Sequence, residues 1–198
     1  MNGELSKPLV EVRDLAKTFD VSAPWLNRVV ERKPRQSVHA VDGIDFAIQR
    51  GKTLALVGES GCGKSTVARL LVGLYTPTRG SVSFDGVDTA QTFRSGTAQT
   101  LRRRMQMIFQ DPYASLNPRW KVADIVGEPL REHGLAQAGS TGASTKQDIC
   151  DKVAVLLQSV GLAAADVEKF PHQFSGGQRQ RISIARALAT SPEFLVCD

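Results

Sequence analysis

The chain has no long apolar run, and none of its hydrophobic stretches reaches the length needed to cross a bilayer. Its first residues, MNGELSKPLVEV, lack the apolar core of a signal peptide. Cysteine is scarce: Cys62, Cys150 and Cys197 lie far apart, which excludes a disulfide framework and a clustered metal site. A reducing cytoplasm is the expected setting. Neither sign of charge dominates. Against 20 acidic residues stand 25 Lys and Arg, a net charge of +5, which suits phosphates, anionic lipid or nucleic acid without selecting among them. No internal repeat is visible. The 198 residues and 41% apolar content predict one domain with a core, with or without a lobe.

What the chain does have is centred on Gly58–Thr66, GESGCGKST. This fits Gly, four residues, Gly-Lys-Ser/Thr, the phosphate-binding P-loop, a pattern met by chance only about once in 10⁴–10⁵ positions. Gly58, Gly61 and Gly63 allow tight backbone angles and let amide N–H groups approach phosphate oxygens. Lys64 supplies a positive charge for the β- and γ-phosphates, and Ser65 a hydroxyl where Mg²⁺ binds. Glu59, Ser60, Cys62 and Thr66 complete the loop, Cys62 as a small residue at a tolerant position. The apolar run Thr53–Val57 predicts a buried parallel strand before the loop. Val67, Leu70, Leu71 and Leu74 at i, i+3, i+4 and i+7 predict a helix after it. A strand end and a helix N-terminus then meet at the anion.

Upstream, alternation from Val10 to Arg13 predicts a half-buried strand. Residues 20–37 read as a long loop or hairpin insertion, with Trp25 either a contact residue or a locally packed aromatic. Val38–Val41 and the alternating Ile44, Phe46 and Ile48 predict two strand pieces about an Asp42-Gly43 turn. Ser81–Phe84 predicts a strand closed by Asp85-Gly86, and the polar stretch 87–100 a surface loop. Arg102–Arg104 fit a basic patch or a solvated helix face. Met105–Phe109 predicts a strand ended near Pro112.

A mainly helical segment follows, with Val122, Ile125, Val126 and Leu130 on one face and Pro129 weakening its end. Residues 134–145 are low in complexity. Ile149, Val153, Leu156, Leu157 and Val160 predict an amphipathic helix stopped by Gly161. Ser175-Gly-Gly-Gln178 reads as a capping box opening a helix through Ile182, Ala185, Leu188 and Ala189. Two glycines in a first turn cost helix stability. Bare N–H groups there suit a phosphate, so a second anion site is expected, for another anion or a partner's nucleotide. Phe194–Asp198 predicts a buried parallel strand with a carboxylate at the ligand-binding edge, where P-loop enzymes hold Mg²⁺.

In this order, the motifs resemble the ATP-binding cassette family, the nucleotide-binding subunits of ABC transporters. The likeness runs from about Leu9 to Asp198 and takes in the P-loop, the glutamine loop at Gln110, the signature at Ser175–Gln178 and the Walker B run to Asp198. Residues 106–119 and 171–181 look most like the oligopeptide/dipeptide importer branch, which commonly carries Phe at the position of Phe174. The resemblance implies an α/β P-loop NTPase fold with a parallel core sheet, a small antiparallel β subdomain and a helical lobe, here cut short at the C-terminus. Within a single domain over 1–198, it assigns 1–110 to the β subdomain and P-loop core, 111–174 to the helical lobe, and 175–198 to the signature helix and Walker B strand.

It implies ATP and Mg²⁺ as ligands. Lys64 and the loop amides bind phosphates; Ser65, Gln110 and Asp198 attend Mg²⁺ and water; Lys64, Gln110 and Asp198 are the catalytic candidates. Phe19 is the candidate adenine-stacking aromatic, and it equally fits an ordinary strand core position. Ser175, Gly176, Gly177 and Gln178 contact ATP held by a second cassette in a homo- or heterodimer. The implied partners are two transmembrane permease subunits and, indirectly, a periplasmic peptide-binding protein, with no nucleic acid. The implied location is the cytoplasmic face of the inner or plasma membrane.

The family's general-base Glu, D-loop and switch histidine lie beyond Asp198 in the family pattern, and His39, His133 and His172 all precede it. The expectation is an N-terminal piece of a peptide-importer ATPase, poor at hydrolysis alone and unstable at its open sheet edge. Two other readings are a non-catalytic nucleotide-binding module, and a non-transport cassette ATPase acting on nucleic acid or ribosomes.

Overall fold

A computed structural model describes residues 7–22, 34–94, 98–111, 115–135 and 146–198. These fall into two compact units, one within residues 1–98 and one within 99–198. Trp25, Pro112 and most of the 134–145 stretch lie outside the described residues.

The first unit is built on an antiparallel sheet. Strands β1 (Val10–Asp20), β2 (Ser37–Ile48), β3 (Arg79–Phe84) and β4 (Val87–Asp88) lie in the order β2-β1-β3-β4. The alternation at Val10–Arg13 behaves as expected: Val10 and Val12 are buried while Arg13 is exposed. Val82 and Phe84 on β3 pair with Val12 and Val10 and close that face. Asp42-Gly43 does not split β2 in two as its turn chemistry suggested. Gly43 adopts φ 66° inside one continuous strand, where the register against β1 shifts in a bulge.

Helix α1 (Lys64–Leu71) buries Val67, Ala68, Leu70 and Leu71. It ends before Leu74, which is exposed rather than on the helical face predicted for it. The reason lies at Gly73, with φ 71°: a Cβ there would stand 1.9 Å from the ring of Phe93. Phe93 belongs to α2 (Thr89–Arg94), within the stretch expected to be a loop. Asp88 organises that helix start, accepting from the Gln91 N–H at 3.0 Å, and Thr89 Oγ1 donates to the Val82 carbonyl in the interior. Local capping and one half-buried aromatic thus order a polar stretch with no apolar period.

Thr53–Val57 forms no strand: residues 52–59 carry no regular structure, and Leu54, Leu56 and Val57 are exposed. An extended run is held by its ladder. Among the described residues no strand pairs with this one.

The second unit combines a parallel strand pair with a helical cluster. Helix α3 (Ala98–Arg104) leads directly into β5 (Met105–Ile108), which pairs in parallel with β6 (Phe194–Cys197). The entry to this pair is pinned by a bidentate contact, Arg104 Nε and Nη2 to the Glu193 carboxylate at 2.6 and 2.9 Å. Arg102 and Arg103 on the same helix turn are exposed. Helices α4 (Val122–Glu132), α5 (Lys146–Ser159) and α6 (Gly176–Leu188) share a core of Val122, Ile125, Val126, Val153, Leu157, Phe174, Ile182 and Ala185. Helix α4 continues through Pro129 to Glu132. Phe174, just before the Ser-Gly-Gly run, is buried in this core. Among the described residues no helix is long and apolar enough to cross a membrane.

The unpaired run is directly testable. Amide hydrogen exchange is expected to be fast at Thr53–Val57 and slow at Val10 and Val12, which are buried in a two-sided ladder. Equal protection in the two segments contradicts the arrangement.

Candidate functional site

The chain enters α1 through Gly63, the N-cap residue, in the left-handed region at φ 99°. A Cβ at Gly63 would stand 2.2 Å from the carbonyl oxygen of Ala40 on β2. Glycine is therefore required twice, by the backbone angle and by the close approach. The turn sets Lys64 as the first helical residue. Its ammonium donates to the Gly58 carbonyl at 2.9 Å and the Glu59 carbonyl at 2.6 Å, and lies 3.6 Å from Cys62 Sγ. Cys62 N–H also donates to the Glu59 carbonyl at 3.3 Å. The loop is thus closed around one cation, with nothing within 4 Å of a Cβ at Gly61. Ser65 and Thr66 follow on the first turn of α1, where helical N–H groups lack intrahelical acceptors. A cation, a hydroxyl, glycine amides and a helix N-terminus fit a phosphate chain with its divalent ion.

Phe19 lies in the same unit, near the end of β1. Its ring is half-buried and meets Tyr75 edge-on, with centroids 5.4 Å apart. Lys17 Nζ sits 5.1 Å from the Phe19 centroid and donates to the Thr76 carbonyl. Arg69 of α1 donates to Tyr75 Oη at 3.1 Å. The β2 neighbour of Phe19 is Val38, itself exposed. Sequence reasoning missed Lys17, Arg69 and Tyr75. Tyr75 offered one weak signal, an aromatic just past the P-loop helix, but nothing in the sequence pairs it with Phe19.

The remaining candidates belong to the second unit. Gln110 is exposed just beyond β5. Asp198 follows β6, and its N–H donates to the Ile108 carbonyl at 3.0 Å. The structure therefore brings Gln110 and Asp198 to the same, C-terminal end of a parallel pair, the edge where ligands bind in open α/β sheets. It assigns them to a different compact unit from the P-loop and Phe19.

The expected capping box is formed. Ser175 Oγ accepts from the Gln178 N–H at 3.3 Å, and Gln178 Oε1 accepts from the Ser175 N–H at 2.9 Å. Gly176 and Gly177 are exposed, with open space where a Cβ would be. Packing does not demand glycine at either position, and the space beside these backbone groups is open. The histidines have local roles. His39 lies 3.4 Å from Thr18 Oγ1, His172 stacks on Phe170, and burial with the nearby Arg103 charge holds His133 below the ordinary imidazole range.

Residues 41–198 match a family model described as ABC transporter. The oligopeptide transport ATP-binding protein OppF of Bacillus subtilis (strain 168) is 51% identical over 165 residues, 83% of this chain and 52% of that protein. The oligopeptide transport ATP-binding protein AppF of the same organism is 40% identical across 100% of this chain and 56% of its own length. The chain therefore spans about half the length of these relatives. Among solved structures, the ADP- and Pi-bound dimer of the ATP-binding cassette MJ0796 in a post-hydrolysis state aligns with a TM-score of 0.77 at 26% identity, covering 96% of this chain and 73% of that one.

Two glycine substitutions separate the two kinds of constraint. Gly63→Ala is expected to destabilise the first unit by about 2–4 kcal/mol, from the left-handed angle and the clash with Ala40. Gly176→Ala, placed in open space, leaves the melting temperature unchanged or raises it. Urea or thermal unfolding of the two variants reads the contrast, and equal losses contradict it.

Proposed function

The chain belongs to the ABC transporter family of ATP-binding domains, and on that premise we propose that it is the ATP-hydrolysing subunit of an importer for di- or oligopeptides, binding MgATP at Gly58–Thr66. The observation that carries the proposal is the loop closed around Lys64. Its ammonium is held by two neutral carbonyls, Gly58 and Glu59, and phosphate oxygens are stronger acceptors for the same donors. On binding, Lys64 exchanges carbonyls for the β- and γ-phosphates, and the loop amides take the remaining oxygens. The half-exposed ring of Phe19, steadied by Tyr75 and Lys17, offers a face for adenine.

Ser65, in the first unit, offers a hydroxyl that would hold Mg²⁺, and in the second unit the Gln110 amide and the Asp198 carboxylate offer oxygens of the kind that Mg²⁺ and water take. Bound Mg²⁺ neutralises charge on the phosphates and polarises them. In the reaction, a water oxygen bonds to the γ-phosphorus as the bond to the β–γ bridging oxygen breaks, giving ADP and inorganic phosphate. The chain's share of the catalysis is positioning and charge, with Lys64 facing the transferred group.

The Ser175–Gln178 helix end serves the nucleotide held by a second cassette. Its cap is satisfied by its own side chains, while the glycine amides of the first turn remain open to a phosphate. The helical cluster of α4, α5 and α6 is the lobe that receives two permease subunits, which place the protein at the cytoplasmic face of the membrane. A periplasmic peptide-binding protein delivers the cargo to those subunits. The peptide assignment rests on the likeness to the oligopeptide transport proteins OppF and AppF.

Equilibrium titration with a fluorescent ATP analogue and Mg²⁺ tests the nucleotide site. Lys64→Ala is expected to weaken binding by about 100-fold, close to the loss of one or two charge-assisted hydrogen bonds. Affinity equal to that of the unsubstituted chain contradicts the assignment.

A further inference from the structure

Arg186 lies on α6 about three turns beyond Ser175. Its guanidinium reaches two other segments of the second unit. Nη2 donates to Glu128 Oε2 on α4 at 2.6 Å, and Nη1 donates to the Ser115 carbonyl at 3.0 Å. The ion pair is partly sheltered, with side-chain exposures of 34% and 36%. Ser115 stands on the segment that follows Gln110, and its neighbour Leu116 is buried in the helical core. One cation therefore joins the backbone after Gln110, helix α4, and the helix whose first turn carries Ser175–Gln178.

Apolar packing alone does not set this relation. Ile125, Val126, Ile182 and Ala185 hold α4 and α6 together, but the hydrophobic effect is itself non-directional and a polar contact adds direction. A guanidinium presents its donors in a fixed planar fork, and two partners on separate segments fix both rotation and register. We infer that Arg186 is a positioning residue for ATP turnover: it sets the attitude of the Ser175–Gln178 helix against α4 and the backbone at Ser115. This rests on the nucleotide reading given above. Among the described residues the Arg186 guanidinium bonds to Glu128 and Ser115, so the expected effect falls on turnover and not on ATP capture.

The test uses the full-length ATPase with Arg186→Ala, Arg186→Lys, Glu128→Gln and the double variant Arg186→Ala/Glu128→Gln. Lys64→Ala serves as the control for the nucleotide reading. Three quantities are measured per folded molecule: affinity for the fluorescent ATP analogue, kcat and KM for ATP, and the melting temperature. The expected result for Arg186→Ala and Glu128→Gln is a kcat lower by about 10- to 100-fold with affinity and KM within about twofold of the parent. Arg186→Lys, which keeps the charge but not the fork, recovers part of kcat. The double variant is no worse than the worse single one.

An unchanged kcat per folded molecule overturns the inference. So does a kcat loss that only tracks a lower melting temperature across all variants, which is the mark of a merely structural ion pair. Loss of affinity in Arg186→Ala overturns it as well, because the effect then passes through ATP capture. If Lys64→Ala leaves ATP binding intact, it is the nucleotide reading that fails, and the positioning role falls with it. A wild-type-like Arg186→Ala beside a non-binding Lys64→Ala removes the positioning role alone.

Discussion

One ammonium group, that of Lys64, sets the conditions for the loop around it. A left-handed glycine pressed against the carbonyl of Ala40 makes Lys64 the first residue of α1 and aims its side chain back across the loop. There it holds the Gly58 and Glu59 carbonyls together, each a charge-assisted bond worth about 1.5–3 kcal/mol. The loop is therefore ordered by contacts that an anion can replace with better ones. This depends in turn on β2, because the Ala40 carbonyl is the surface against which the turn is formed. Binding chemistry and sheet packing are coupled at a single residue without a side chain.

The second helix end reaches a similar result differently. At Ser175–Gln178 the side chains satisfy each other's backbone groups, so the helix starts without help from a ligand. Two glycines then leave its first turn unobstructed. The buried Phe174 ring fixes this turn to the helical core from one side. Arg186 ties the other end of the same helix to α4 and to the chain beyond Gln110. A helix start that is stable, exposed and rigidly mounted is what recognition of a phosphate on another molecule requires.

Much of the site was legible in sequence because its signals are local. The P-loop, the capping box and the amphipathic period of α5 each depend on spacings within one turn or loop, and the structure forms the capping box as read and α5 over Lys146–Ser159, ending one residue before Val160. The failures at Thr53–Val57 and Asp42-Gly43 share a cause: they depend on partners distant in sequence. Thr53–Val57 has the composition of a buried strand, yet composition cannot supply a ladder, and the run stays exposed. Asp42-Gly43 has the chemistry of a hairpin turn, but pairing with β1 on both sides of it turns the same residues into a bulge. Residues 89–94 carry no helical period, and the order comes from the Asp88 cap and from Phe93 against Gly73. The Lys17, Phe19, Arg69 and Tyr75 cluster and the Arg186–Glu128 pair join residues on different elements, and no short-range pattern marks such pairs.

The central claim is that the nucleotide site is divided, each chain giving a P-loop to one ATP and a signature helix end to another. Mixing two disabled chains tests it most directly. Lys64→Ala lacks the P-loop charge but keeps its signature, and Ser175→Arg blocks the signature but keeps its P-loop. Sedimentation with MgATP is predicted to find each variant monomeric alone and an ATP-dependent dimer in the mixture, because one composite site is restored. A mixture that stays monomeric while the parent chain dimerises, or single variants that dimerise as well as the parent, contradicts the divided site.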